Sequence, residues 1–174
     1  NIIIEDGMFL ITSGSDCIQA AQDLTVSGGV FHLKAGAGWD DTAFDKDTMS
    51  CKGLKASGNL DETDETAVAT NMLTITGGYF YINSADDSIH SDCDITITSG
   101  QYDISSGDDA VHADGKLSLG GEEDPDCAVS MKISHSYEGL EGAYVDIWSG
   151  CYDVVASDDG INAAGDSTTE ETFP

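Results

Sequence analysis

The stretch "ITITSGQYDISSGDDAVHADGK", residues 95–116, decides the fold, because the residues before it, "LTITGGYFYINSADDSIHSDCD" (73–94), match it position for position over 22 residues without a gap. Two further copies fit ungapped, "IIIEDGMFLITSGSDCIQAAQD" (2–23) and "VDIWSGCYDVVASDDGINAAGD" (145–166). Two more are interrupted: one opens with "LTVSGGVFHLKAG" and resumes at "SCKGLKASGN", the other opens with "LSLGG" and resumes at "CAVSMKISHSYEGLEGAY". An internal repeat of this kind governs every other reading of the chain.

Stacked in register, the six copies expose alternating apolar columns. The first pair is Ile2, Leu24, Leu73, Ile95, Leu117, Val145 and, two residues on, Ile4, Val26, Ile75, Ile97, Leu119, Ile147. After a glycine corner come Phe9, Phe31, Phe80, Tyr102, Met131, Tyr152, then Ile11, Leu33, Ile82, Ile104, Ile133, Val154. A third strand carries Ile18, Leu54, Ile89, Val111, Leu140, Ile161. Period 2 within strands and no helical period predict an all-β chain. Three short strands cannot bury their apolar faces within one copy, so each copy must stack on the next. The expectation is a single-stranded parallel β-helix, a solenoid of about six coils of 22 residues with three strands per coil, and a rod about 29 Å long.

The coils span 1–166, with acidic loop insertions near 37–50, 60–72 and 120–126, and 167–174 reads as a tail or linker. The first residues already occupy a strand column, so the chain reads as a mature or trimmed piece. Ile2, Ile4, Phe9, Ile11 and Ile18 would leave an open apolar end for upstream sequence or another molecule to cover. No signal peptide or membrane-spanning run is present in the sequence, and membrane insertion is not expected.

Thirty-three acidic residues oppose six lysines and no arginine, a formal charge of −27. Nucleic acid and anionic membrane are poor partners, because phosphate binding needs the opposite sign, and no nucleic-acid partner is expected; a cation is the natural counterpart. Among five cysteines, Cys127 with Cys151 and Cys17 with Cys51 lie on adjacent coils, and either bridge is open. Cys93 is left over. The composition suits an extracellular or cell-surface protein.

Asp108-Asp109 has company in the neighbouring copies. Ser15-Asp16, Asp86-Asp87, Tyr137-Glu138 and Asp158-Asp159 occupy the same corner, interrupted by Cys51-Lys52. Unit charges one coil apart repel by about 0.8 kcal/mol in bulk water and several-fold more where partly buried, so the ladder asks for cations. Calcium, which takes six to eight oxygens in flexible geometry, is the expected cofactor, with Asp16, Asp86, Asp87, Asp108, Asp109, Glu138, Asp158 and Asp159 as candidate ligands. Solvated Asx turns would need no ion. The same face stacks His90 on His112 and Asp92 on Asp114; two imidazoles without a thiolate or a fixed third ligand point only weakly to a transition metal.

Tyr79, Tyr81 and Trp148 point outward, as flat aromatics that stack on sugar rings do. They are the candidate carbohydrate-binding residues. An enzyme is not expected. A pair of catalytic carboxylates is required once, whereas this pair recurs, and neither the G-H-G and R-x-K elements of polygalacturonases nor a lyase arginine accompanies it.

The elements "SCKGLKASGN", "LTITGGYFYINSADDSIHSD", "SYEGLEG" and "SDDGINAAGD", in this order, resemble the calcium-binding, polysaccharide-lyase-like β-helix proteins known as carbohydrate-binding domains of cellulolytic clostridia and related bacteria. The resemblance covers almost the whole chain. It implies a right-handed β-helix, bound calcium at the D-D turns, secretion, and affinity for plant cell-wall polysaccharide such as cellulose or acidic pectin. The function expected is thus a non-catalytic, calcium-stabilised carbohydrate binder. The alternative is a structural subunit stacking head to tail into an extracellular filament or surface fibre, with the open apolar end as the contact.

Overall fold

The computed structural model describes residues 1–58, 71–122 and 127–165. Most of the expected 60–72 insertion, residues 123–126 of the 120–126 insertion and the 167–174 tail lie outside the described residues. In chain order the strands are β1 (Ile2–Ile4), β2 (Met8–Ser13), β3 (Ile18–Ala20), β4 (Leu24–Val26), β5 (Val30–Ala35) and β6 (Leu54–Ala56). Next come β7 (Met72–Ile75), β8 (Tyr79–Ser84), β9 (Ile89–Ser91), β10 (Asp94–Ile97) and β11 (Gly100–Ser106). The last are β12 (Val111–Leu119), β13 (Val129–His135), β14 (Leu140–Ile147), β15 (Cys151–Val154) and β16 (Ile161–Ala163).

Pairing is parallel in every ladder among the described residues. Register follows the sequence columns. Phe9 sits beside Phe31, Phe31 beside Phe80, Phe80 beside Tyr102, Tyr102 beside Met131 and Met131 beside Tyr152. Inward residues of these columns, among them Leu24, Phe31, Leu73, Phe80, Ile89 and Ile104, are fully buried and form one core. Phe9, Phe31, Phe80 and Tyr102 stack face to face through it at ring-centroid distances of 4.9, 4.7 and 4.8 Å.

The sheet arrangement corrects the expected architecture. Six coils with three strands each imply three sheets. Among the described residues there are instead two, of ten and six strands. In the larger sheet eight strands follow the path β1-β4-β7-β10-β12-β9-β6-β3, which runs out to β12 and returns, so that it nearly closes on itself like a barrel wall; β14 and β16 continue from β12. The second sheet has the order β15-β13-β11-β8-β5-β2. The fold is an all-β arrangement of parallel sheets, not a six-coil β-helix. The physical reason lies at residues 113–116. There the chain stays extended through a corner, so the strand that ends one repeat and the strand that opens the next are one continuous element, β12. Gly115 makes this possible: its N–H bonds Cys93 O at 2.7 Å, and a Cβ there would collide with the Asp94 carboxylate and lie 2.9 Å from Cys93 O. Strand β14, of eight residues, likewise runs through the corner one repeat later.

Cys127 and Cys151 form a disulfide with a Cα separation of 4.7 Å, whereas Cys17 and Cys51 remain thiols. Burial, the largest influence on it, pushes the Cys17 thiol up to about 11. At the first repeat Ile2, Ile4, Phe9 and Ile11 are half-buried against the core, while Ile3, Met8 and Leu10 are largely exposed.

Candidate functional site

The acidic corner is built by turns that join the smaller sheet to the larger one. Asp16 lies between β2 and β3, Lys52 between β5 and β6, and Asp86-Asp87 between β8 and β9. Asp108-Asp109 lies between β11 and β12, Tyr137-Glu138 between β13 and β14, and Asp158-Asp159 between β15 and β16. Buried Ser106 braces these turns, its Oγ lying 2.7 Å from Asp86 O and 2.8 Å from Asp109 O, with its single proton available to either carbonyl.

The carboxylates also tie each repeat to the next. Asp16 Oδ1 accepts the Lys52 N–H at 2.8 Å, Asp87 Oδ1 the Asp109 N–H at 3.1 Å, and Asp109 Oδ1 the Glu138 N–H at 2.9 Å. One oxygen of each thus serves the backbone, as the Asx-type reading allows; Asp87 and Asp109, with Asp86, Asp108 and Glu138, line a cleft of about 510 Å³, whereas Asp16 lies outside its lining. Asp86, Asp87, Asp109 and Glu138 are buried there, whereas Asp158 and Asp159 are exposed.

Lys52 looks in sequence like a break in the ladder, but it is the cleft's main internal cation. Its Nζ lies 2.7 Å from Asp86 Oδ1 and 2.8 Å from Asp87 Oδ2. Burial works against its charge, but Asp87 and Asp86 outweigh it and raise the ammonium above its usual value. Lys46, from the 37–50 loop, reaches Asp108 Oδ2 at 3.2 Å, and the more distant Lys55 approaches Asp16 at 3.8 Å.

The remaining electrostatics divide the carboxylates into two kinds. Burial disfavours the charge on Asp87, yet contacts with His112, His90 and Lys52 hold its carboxyl well below the usual range. Asp109 has no ammonium partner, and burial followed by repulsion from Asp87 pushes it up to about 8. Burial would lower His112, but Asp87, Glu141 and Asp109 raise it to about 9. The cleft therefore holds more negative charge than its lysines answer, and it can take up a cation or protons.

The candidate sugar-binding aromatics fall into two places. Tyr79 and Tyr81 stand two residues apart on the outer face of β8 and are 49% and 47% exposed. Their register partners on β11 are Gln101 and Asp103. Tyr81 also stacks on His32 of β5, with centroids 4.6 Å apart and planes 13° apart, beside a groove of about 540 Å³ running toward Leu10 and Met8. Trp148, 55% exposed, follows β14 of the other sheet and does not share this face. The 37–50 loop folds back: Trp39 N–H bonds Asn83 Oδ1 at 2.8 Å, and its ring packs on His135 at 4.0 Å.

Sequence reasoning missed His32 and Lys46 as members of these surfaces. His32 was visible in principle, since it falls in the same outward column as Tyr81. Lys46 was not, because its loop has no counterpart in the other repeats.

No curated protein and no solved structure matches the chain. A family model described as "Carbohydrate-binding domain-containing protein" matches residues 1–110, which include Tyr79, Tyr81, Lys52 and both central Asp pairs. With more than half of its 174 residues matched, the chain belongs to the carbohydrate-binding domain-containing family.

Proposed function

We propose that this chain is an extracellular, non-catalytic module that binds plant cell-wall polysaccharide on the outer face of its six-stranded sheet. The observation that carries the reading is the Tyr79–Tyr81 face. Two half-exposed rings share it, one is already aligned flat with an imidazole, and Gln101 and Asp103 beside them offer donors and acceptors for hydroxyls. Amphipathic rings of this kind supply contact area to sugars at little entropic cost. The Cys127–Cys151 disulfide and the acidic composition support an oxidising, extracellular setting.

Calcium belongs to the reading as a stabiliser of the acidic corner. Asp86, Asp87 and Asp108 each offer an oxygen within 4.8 Å of the others, an all-oxygen donor set of the hard kind calcium takes. Lys52 and Lys46 compete for the same oxygens, so the affinity expected is that of extracellular modules, about 10⁻⁴–10⁻³ M.

The test is retention of the purified chain on insoluble cellulose and on polygalacturonate. Tyr81→Ala, with an unchanged melting temperature, is expected to weaken retention about tenfold or more, corresponding to at least 1.4 kcal/mol. Trp148→Ala is expected to leave retention unchanged. Wild-type retention in the Tyr79→Ala/Tyr81→Ala double variant would place the sugar elsewhere.

A further inference from the structure

Behind the all-oxygen corner, the same cleft holds a second donor set of different chemistry. His90 on β9 and His112 on β12 are register partners, with rings edge to face and centroids 5.1 Å apart. Each ring turns Nε2 toward a carboxylate two residues along: His90 to Asp92 Oδ1 at 2.9 Å, His112 to Asp114 Oδ1 at 3.4 Å. An ionised carboxylate only accepts, so each Nε2 carries a proton, and Nδ1 is the ring atom left to meet an ion, which would displace the proton it holds in the metal-free cleft. Both Nδ1 atoms face one oxygen, Asp87 Oδ2, at 2.9 Å and 3.7 Å.

This is the arrangement in which a carboxylate fixes the tautomer and orientation of a metal-binding histidine, and here it occurs twice around a shared third donor. The distances fit as well. Four ligands at 2.0–2.1 Å from a tetrahedral ion lie about 3.3 Å from one another, between the two Nδ1–Asp87 separations.

A separate observation points to a missing ligand. His90 is 8% exposed, and its Nδ1 is buried with no hydrogen-bond partner. Asp87 Oδ2 is at hydrogen-bonding distance but out of line. A ring nitrogen and a carboxylate oxygen held this close need positive charge between them, and an ion coordinated by both supplies it without the alignment a hydrogen bond requires.

We propose that Asp87, His90 and His112 form a binding site for one divalent ion of the zinc type, with Asp92 and Asp114 orienting the two rings. Asp109 Oδ2, 3.4 Å from His112 Nδ1, stands beside the position left for a fourth ligand. Imidazole donors select zinc, copper or nickel over calcium, which distinguishes this site from the oxygen-only corner with which it shares Asp87. Lys52 is the resident competitor, and ion binding displaces its Nζ from Asp87 while leaving its contact with Asp86. The site does not depend on where the polysaccharide lies.

The experiment is titration of the metal-stripped full chain with zinc chloride against a chromophoric chelator, in excess calcium. One equivalent of zinc is expected to bind without displacement by calcium. His112→Ala should lower the affinity more than tenfold, and Asp92→Asn about 10–100-fold. Zinc K-edge absorption of the wild-type chain should show two imidazole ligands, a readout that stands if a variant fails to fold. Absence of stoichiometric binding, displacement by calcium, wild-type affinity in folded His112→Ala, or an oxygen-only coordination shell would each overturn the proposal.

Discussion

At Lys52 one ammonium group answers two buried carboxylates, and its side chain is only 12% exposed. Removing such a partner leaves Asp86 and Asp87 charged, buried and repelling one another. Lys52→Met is therefore expected to destabilise the fold by about 3–5 kcal/mol, the usual cost of breaking a buried pair, seen as a lower urea midpoint at unchanged slope. A variant within about 0.5 kcal/mol of wild type would mean that water or another cation already serves these carboxylates. Asp109 and His112 set the pH dependence. Both have folded values above their unfolded ones, about 8 against 3.8 and about 9 against 6.5. The native state thus holds protons that the unfolded chain has lost, and stability falls as pH rises through this window. Asp87 acts in the opposite sense. Its depressed value means that stability is lost below the ordinary carboxylate range, as pH falls toward its folded value. With chelator present, the urea midpoint is expected to decrease from about pH 5 to about pH 9; an increase across that range would contradict the charge balance described for the cleft.

The repeated corner and the aromatic column belong to the scale of the strand. Gly78, with φ +125°, opens β8 in a conformation that side chains rarely adopt, and a Cβ there would lie 2.9 Å from the Phe80 ring. The corner and the stack are thus fitted to one another. Phe80 is the middle of the stack, touching Phe31 and Tyr102 at once, so Phe80→Ala is expected to cost about 3–5 kcal/mol. Phe9→Ala, at the half-buried end with a single ring neighbour, should cost less. Equal losses, measured by urea unfolding, would show that neither depth of burial nor the number of ring neighbours sets a residue's contribution to the column. These columns were legible in the sequence because a 22-residue period repeats each inward position and alternation marks the face. The sheet count was not legible. Whether a strand ends at a corner depends on close backbone contacts such as that of Gly115 with Cys93, and alternation carries no signal of them. The acidic corner was likewise visible as a row of Asp pairs. Its internal cation looks in sequence like an interruption, because the column places Lys52 level with its neighbours whereas its long side chain reaches one repeat onward.

For the whole molecule the controlling quantity is charge. A formal −27 on 174 residues repels any polyanion over a distance that salt sets: about 30 Å at 0.01 M and about 8 Å at 0.15 M. The Tyr79–Tyr81 sheet face nevertheless carries cations of its own, Lys34 on β5 and Lys132 paired in register with Asp103. Neutral cellulose feels neither influence, so retention on it should be flat across this range of salt. Retention on polygalacturonate should instead rise with salt, as the long-range repulsion is screened, and rise further with calcium, which can bridge Asp side chains to uronates. The comparison separates the two polymers without altering the protein. Tight retention on polygalacturonate at low salt without calcium, falling as salt is added, would reverse the assignment. It would mean that Lys34 and Lys132 govern recognition locally, and Lys132→Gln would then abolish it.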